Sequence, residues 1–172
     1  MNKHAEVRER IMAAKLTEYL GIIMPWLDNI GYFTAPSSHR YHGAYYGGNC
    51  EHSLAVCDKL VWLTKRLDLK WTLPRSPYIV GLFHDLCKCD AYVKTEDGFE
   101  HNTDMLITGH GEKSVMLLSN ILTLTEEEIL CIRYHMGAYE QSDWHEFDLA
   151  IKKYPTVLFT HTANMLASKL EV

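Results

Sequence analysis

The stretch Gly81-Leu-Phe-His-Asp-Leu-Cys-Lys88 decides how this chain is read. An imidazole and a carboxylate stand side by side in it, at His84 and Asp85, between apolar residues. Burying such a pair is costly unless something cationic meets it. A divalent metal is the natural partner, because neutral imidazole and carboxylate are both ligands for first-row ions. A His-Asp pair alone is equally a solvated feature of a helix surface, so the histidines before and after it carry the argument.

Working outward, Ser76-Pro77 reads as a cap and first turn for a helix carrying His84 and Asp85. Upstream, Asn49 is a candidate cap for a helix running to about Asp68, whose inner face is His52, Val56, Leu60 and Leu63. Before it, Leu16, Leu20, Ile23, Leu27 and Ile30 form one apolar stripe on a long first helix. Downstream, helical periodicity disappears over residues 91–108. There Glu96-Asp-Gly98, between Tyr92-Val-Lys94 and Phe99-Glu-His101, reads as a hairpin. A helix starting near Gly109-His-Gly carries Val115, Leu118 and Ile121. Thr125-Glu-Glu-Glu128 is a capping box for a helix reaching about Met136. A short amphipathic helix follows, with Ser142, Phe147, Ala150, Ile151 and Tyr154. Pro155 then opens the last helix, through Ala167. The expected fold is all-α and single-domain, with a small hairpin or irregular insertion at 91–108.

Composition narrows the function classes. The 172 residues suit one domain with a core that needs no covalent staples. At 47% apolar and 23% charged, the profile is that of a globular protein. No apolar run approaches the ~18 residues a membrane span needs, and the charged N-terminus is unlike a signal peptide. Five irregularly spaced cysteines fit a reducing cytoplasm better than a disulfide framework. A net charge of −5 without a basic stripe argues against long nucleic acids as partners. A small phosphorylated substrate stays allowed.

Several histidines fall on inward faces. His52 shares the stripe of Val56 and Leu60. His110 lies on the first turn of its helix, and His135 follows Cys131 and Ile132 at the end of another. His161, Asn164 and Ser168 share one face of the last helix. One core histidine is ordinary, but several on different helices each need a buried partner, and a shared metal would satisfy them together. His4, His101 and His145 sit in polar surroundings and read as surface residues. Cys87 and Cys89 form a Cys-x-Cys without a second thiol pair, so Cys87 reads as a small core residue.

The order His52, then His84-Asp85, then a polar residue on the last helix resembles the HD superfamily of metal-dependent phosphohydrolases. Residues 39–170 carry the resemblance, with 1–38 as an N-terminal helix packed on that unit. Tyr41-His-Gly-Ala-Tyr-Tyr-Gly-Gly-Asn-Cys-Glu-His-Ser-Leu54 is similar to the first-histidine segment, and Phe83-His-Asp-Leu-Cys-Lys88 to the signature. Gly109-His-Gly-Glu-Lys-Ser-Val115, Arg133-Tyr-His-Met-Gly137 and the run from Tyr154-Pro to His161-Thr-Ala-Asn-Met-Leu-Ala-Ser168 resemble a bacterial and phage subgroup.

The resemblance implies a bundle of about five core helices around a divalent ion (manganese, iron, cobalt, nickel, magnesium or zinc), with His52, His84 and Asp85 as ligands. His110 and His135 match positions that hold a second ion, or a phosphate, in two-metal members. The fourth ligand is normally an aspartate, and here that position is Asn164. Three outcomes follow: Asn164 ligates weakly in an active enzyme, the site shifts toward His110 and His135, or catalysis is lost and binding remains.

The implied chemistry is hydrolysis of a phosphomonoester or phosphodiester, with a nucleotide as leading candidate, by metal-activated water. Asp85 would hold the ion. Lys88 would face the phosphate, since it lies one helical turn after His84. Arg133 and Lys113 are further candidates for substrate charge, and Glu112 is a candidate acid or base. Tyr41, His42, Tyr45 and Tyr46 lie near the first ligand and could stack on a base or ribose. The reading from another class is a non-catalytic HD module that binds a metal or nucleotide as a sensor or interaction domain.

Overall fold

A computed structural model describes residues 2–41, 43–137 and 144–170. The described residues form eight α-helices and one two-stranded hairpin, so the chain is all-α apart from that insertion. The helices are α1 (Lys3–Ala13), α2 (Leu20–Asn29), α3 (Gly48–Leu67), α4 (Ser76–Phe83), α5 (Gly111–Ser119), α6 (Glu126–Arg133), α7 (Trp144–Lys153) and α8 (Thr156–Leu170). No described helix is long and apolar enough to cross a membrane. All five cysteines are free.

The 20-residue α3 is the spine, packed against α4 along one side and α8 along the other. Its inner face, His52, Val56, Leu60 and Leu63, is buried as the 3.6-residue period predicts. Lys65 and Arg66 in its last turn complement the negative end of the helix dipole, and Asp68 closes it in the left-handed region at φ 53°. From α4, Ile79, Val80, Leu82 and Phe83 are fully buried in a core that draws on every helix. Each such side chain contributes about 1.5–3 kcal/mol through removal from water.

Two glycines set the spacing that the site depends on. A Cβ on Gly81 would lie 2.4 Å from Cys57 Cα, so α4 touches the backbone of α3 there. A Cβ on Gly111 would lie 2.3 Å from the carbonyl oxygen of Arg133, so the start of α5 touches the end of α6. The first approach brings His84 to His52, and the second brings His110 to His135.

Thr125-Glu128 forms the capping box expected of it, with the Thr125 hydroxyl accepting from Glu128 N–H and the Glu128 carboxylate accepting from Thr125 N–H. The buried Glu128 also accepts from Ser76 Oγ at 3.0 Å and Arg75 Nε at 3.1 Å, which ties the starts of α4 and α6 together. The hairpin is present as strands β1 (Tyr92–Thr95) and β2 (Gly98–His101), antiparallel with Tyr92 opposite His101.

Five expectations are corrected. The stripe from Leu16 to Ile30 is not one helix: Lys15 adopts φ 60° and a 3-10 turn at Thr17–Tyr19 intervenes before α2. A separate α1 precedes that break and packs on α3 and α4. Asn49 does not cap α3; Gly47 does, in the left-handed region, while Asn49 is buried inside the helix. The helix carrying His84 ends at Phe83, and α6 ends at Arg133 rather than Met136. Ser142, expected to open α7, lies outside the described residues, and α8 runs on past Ala167 to Leu170.

Candidate metal centre

His84 is the C-cap of α4, and Asp85 follows at φ −108°, ψ 27° before a 3-10 turn over Leu86–Cys89. Adjacent residues on a regular helix point about 100° apart. Leaving the helix at this step lets both side chains turn to one point. Asn49, fully buried on α3, donates from Nδ2 to the Asp85 carbonyl at 3.2 Å and fixes the turn.

Four elements deliver donor atoms there. His52 Nε2 from α3 lies 3.3 Å from His84 Nε2 and 3.8 Å from Asp85 Oδ2. His84 Nε2 lies 3.6 Å from the same carboxylate oxygen. Asn164 Oδ1 from α8 lies 3.0 Å from His52 Nε2, while its Nδ2 donates to the His135 carbonyl at 3.3 Å. His161 Nδ1 donates to that same carbonyl at 3.0 Å, so α8 grips the end of α6 at this residue. His135 Nε2 lies 3.3 Å from Asp85 Oδ1.

The ring orientations expose lone pairs to the cluster. His84 Nδ1 donates to the Gly81 carbonyl at 2.9 Å and His135 Nδ1 to the Ile132 carbonyl at 2.6 Å, so the Nε2 atom of each ring turns inward to the cluster. This pairing of one ring nitrogen with a backbone acceptor is the arrangement that orients metal-ligating histidines. His135 Nε2 is buried and makes no hydrogen bond. Around His52 Nε2 stand three acceptors, and that ring atom carries at most one proton for them. Electron pairs therefore outnumber protons, which is the condition a cation relieves. His52, His84 and Asp85 are all buried, with donor atoms inside 4.8 Å of one another, and could hold a metal ion. Asp85, Cys87 and His110 form a second group meeting the same criterion.

The electrostatics follow from burial. Burial, aided by His135 and His52, pushes the His84 imidazole down to about 3 against the pull of Asp85, so the ring is neutral at physiological pH. Burial raises the Asp85 carboxyl, but His84, Lys88 and His135 outweigh it and hold the group well below the usual carboxylate range. Lys88 is desolvated too, yet Asp85 beside it, with Tyr92 and Cys87, leaves its ammonium more firmly protonated than usual. Lys88 Nζ donates to His110 Nε2 at 3.4 Å, and His110 Nδ1 faces Cys87 Sγ at 3.4 Å.

Above the cluster opens a cleft of about 420 Å³ floored by His52, Asp85, Lys88 and Asn164. Asp85 is the one carboxylate among its described lining residues, against Lys88 and Lys169, so the opening suits an anion. One wall is a cluster of rings: His39 stacks on Tyr92 at 6.2 Å and meets His101 at 4.6 Å, with Tyr41 beside it.

Of the residues expected at the site, His52, His84, Asp85, Asn164, Lys88, His110 and His135 come together, and Tyr41 reaches the cleft. His42 lies outside the described residues. Tyr46 packs edge-on against Phe99 of the hairpin and does not line the cleft. Tyr45 is engaged by Glu51. Arg133 is turned away: it pairs with Glu112 at 3.1 Å and lies over the Tyr134 ring. Lys113 is buried against Asp90 at 2.5 Å. His101, exposed as expected, and His39, which nothing in the periodicity singles out, both line the cleft. Pairing of Tyr92 with His101 across the hairpin is the one local signal that could have placed His101.

The fold and site together define an all-α chain with a buried histidine–aspartate cluster able to hold a metal. Comparison with protein-family models, with curated proteins and with solved structures yields no match.

Proposed function

We propose that the protein is a metal-dependent phosphohydrolase of HD type, cleaving a small phosphomonoester or phosphodiester, with a nucleotide as the leading substrate. The observation that carries this reading is the convergence of His52, His84, Asp85 and Asn164 beneath a cleft whose charged lining groups other than Asp85 are lysines. When bound, a divalent ion supplies Lewis acidity and a lowered water pKa, the two requirements for hydrolysing a phosphate ester near neutral pH.

The chain's own residues supply the rest. Asp85, held ionised, the neutral imidazole of His84 and the ring of His52 offer a cation one negative charge and two nitrogen donors. Lys88 sets a fixed positive charge beside that point, where a phosphoryl oxygen is neutralised on entering the cleft. The rings of His39, Tyr92 and His101 offer faces for a planar group attached to the phosphate. The free cysteines support a reducing compartment such as the cytoplasm.

The test is phosphate release from an aryl phosphate and a nucleotide panel by purified protein supplied with manganese, iron, cobalt, nickel, magnesium or zinc. Activity should vanish with chelator, return with metal, and fall by roughly 10²-fold or more in Asp85→Ala. A metal-loaded protein that binds a nucleotide and hydrolyses nothing would replace this reading with the non-catalytic module, which the neutral Asn164 in the ligand set favours.

A further inference from the structure

We propose that Cys87 makes the second donor group a thiolate-containing metal site, formed by Asp85, Cys87 and His110 and selective for a thiophilic ion such as zinc. Cys87 Sγ lies 3.4 Å from His110 Nδ1 and 3.8 Å from Asp85 Oδ1. For a tetrahedral ion with a sulfur ligand at about 2.3 Å and nitrogen or oxygen at about 2.0–2.1 Å, the edge between ligand atoms is about 3.5 Å. The two separations bracket that edge. A second, independent observation points to the same place: His135 Nε2, fully buried and without a hydrogen bond, is aimed at Asp85 Oδ1 from 3.3 Å.

The backbone holds the thiol in this position. Cys87 N–H donates to Ser114 Oγ of α5 at 3.1 Å, which fixes the 3-10 turn against the helix that His110 caps. Cys87 and His110 also line a cleft of about 480 Å³ separate in its deeper part from the one above His52, though the two share Tyr92 and His101. An ion can therefore reach this group without passing the first. The donor set differs from its neighbour in kind: His52, His84 and Asn164 offer only nitrogen and neutral oxygen, whereas a thiolate favours zinc over magnesium or manganese.

Occupation has a defined consequence for Lys88. Lys88 donates to His110 Nε2, which leaves the ring proton on Nδ1, facing the thiol. Coordination through Nδ1 requires that proton to sit on Nε2 instead, and the thiol proton leaves to solvent. Nε2 then no longer accepts from Lys88, and the ammonium is released toward the cleft it lines. The inference shares Asp85 with the proposed hydrolytic centre but does not require hydrolysis.

X-ray absorption of full-length protein loaded with two equivalents of zinc should show a sulfur shell at about 2.3 Å. Loading with cobalt(II) should give a thiolate-to-cobalt charge-transfer band in the near ultraviolet. Cys87→Ser should lose the sulfur shell, the band and one of the two bound ions, while Cys89→Ser should keep all three. Wild-type protein without a sulfur shell overturns the proposal whatever the variants do, and so does a band that persists in Cys87→Ser or disappears in Cys89→Ser. Should Cys87→Ser fail to fold, the wild-type spectra and Cys89→Ser still decide the matter. Because metal environment is read directly, a positive result without phosphatase activity would leave this site standing and remove only the hydrolytic reading.

Discussion

Asn164 Oδ1 lies 3.0 Å from His52 Nε2, so a residue of α8 presents a neutral oxygen where the buried cluster of α3 and α4 converges. The amide is held in that sense by its other end, which donates to the His135 carbonyl. It therefore acts as a preorganised but uncharged donor.

Asn164→Asp should tighten binding of a divalent ion by about an order of magnitude, since adding a charged ligand is how such sites are tuned. Calorimetric titration with manganese measures it. Without metal, the new carboxylate would share the cluster with Asp85, and the like charges should lower the melting temperature at neutral pH until metal restores it. An unchanged affinity would mean that α8 contributes nothing to the ion.

Lys88→Ala should leave the bound metal content unaltered and depress turnover by roughly 10-fold or more, because an ammonium beside the phosphate is not a ligand. Metal analysis and steady-state kinetics on one preparation separate the two effects. Loss of metal together with turnover would show instead that Lys88 supports the cluster through its charge on Asp85.

Gly81→Ala should destabilise the fold by about 1–3 kcal/mol and weaken metal binding at the same time. The added methyl meets backbone of Cys57 at 2.4 Å, which is not a flexible side-chain tip and cannot swing aside. Moving α4 off α3 separates His84 from His52. Urea denaturation and metal titration check both halves, and a variant as stable as wild type would refute the close approach.

Stability should fall above about pH 9. Burial pushes the thiols of Cys50 and Cys131 up to about 12 and raises Cys57 as well, so the folded state keeps these protons where the unfolded chain has lost them. With more protons bound in the folded state, stability decreases as pH rises, by about 1.4 kcal/mol per pH unit for each thiol between its unfolded and folded values. Denaturation midpoints at pH 8 and pH 10 measure the loss. Cys131→Val should flatten it, and a slope identical to wild type in that variant would contradict the assignment.

The sequence by itself determined the elements whose causes are local. The Thr125–Glu128 capping box, the two-residue turn before Gly98 and the His52–Val56–Leu60 stripe each depend on residues within a turn or two of one another. Those patterns were therefore readable without the fold. The inward placement of His52 followed from the same periodicity, whereas His84 and Asp85 were read from their apolar neighbours; α4 ends at Phe83, and the turn, not a helix face, aims Asp85. The break at Lys15 escaped the apolar stripe because periodicity does not register a single residue at positive φ.

Only the tertiary structure decided which polar groups meet. Arg133 and Lys113 were further candidate cations behind Lys88, yet Glu112 and Asp90 take those two, and Lys88 alone of the three lines the cleft above Asp85. Cys87 read as a core thiol until α5 brought His110 to 3.4 Å from it, and His39 and His101 became a wall of the cleft by packing across the hairpin. Such pairings join residues tens of positions apart. Their geometry is set by helix approach at Gly81 and Gly111, where the absence of a side chain lets backbones touch. No local pattern in the chain encodes which backbone will be on the other side.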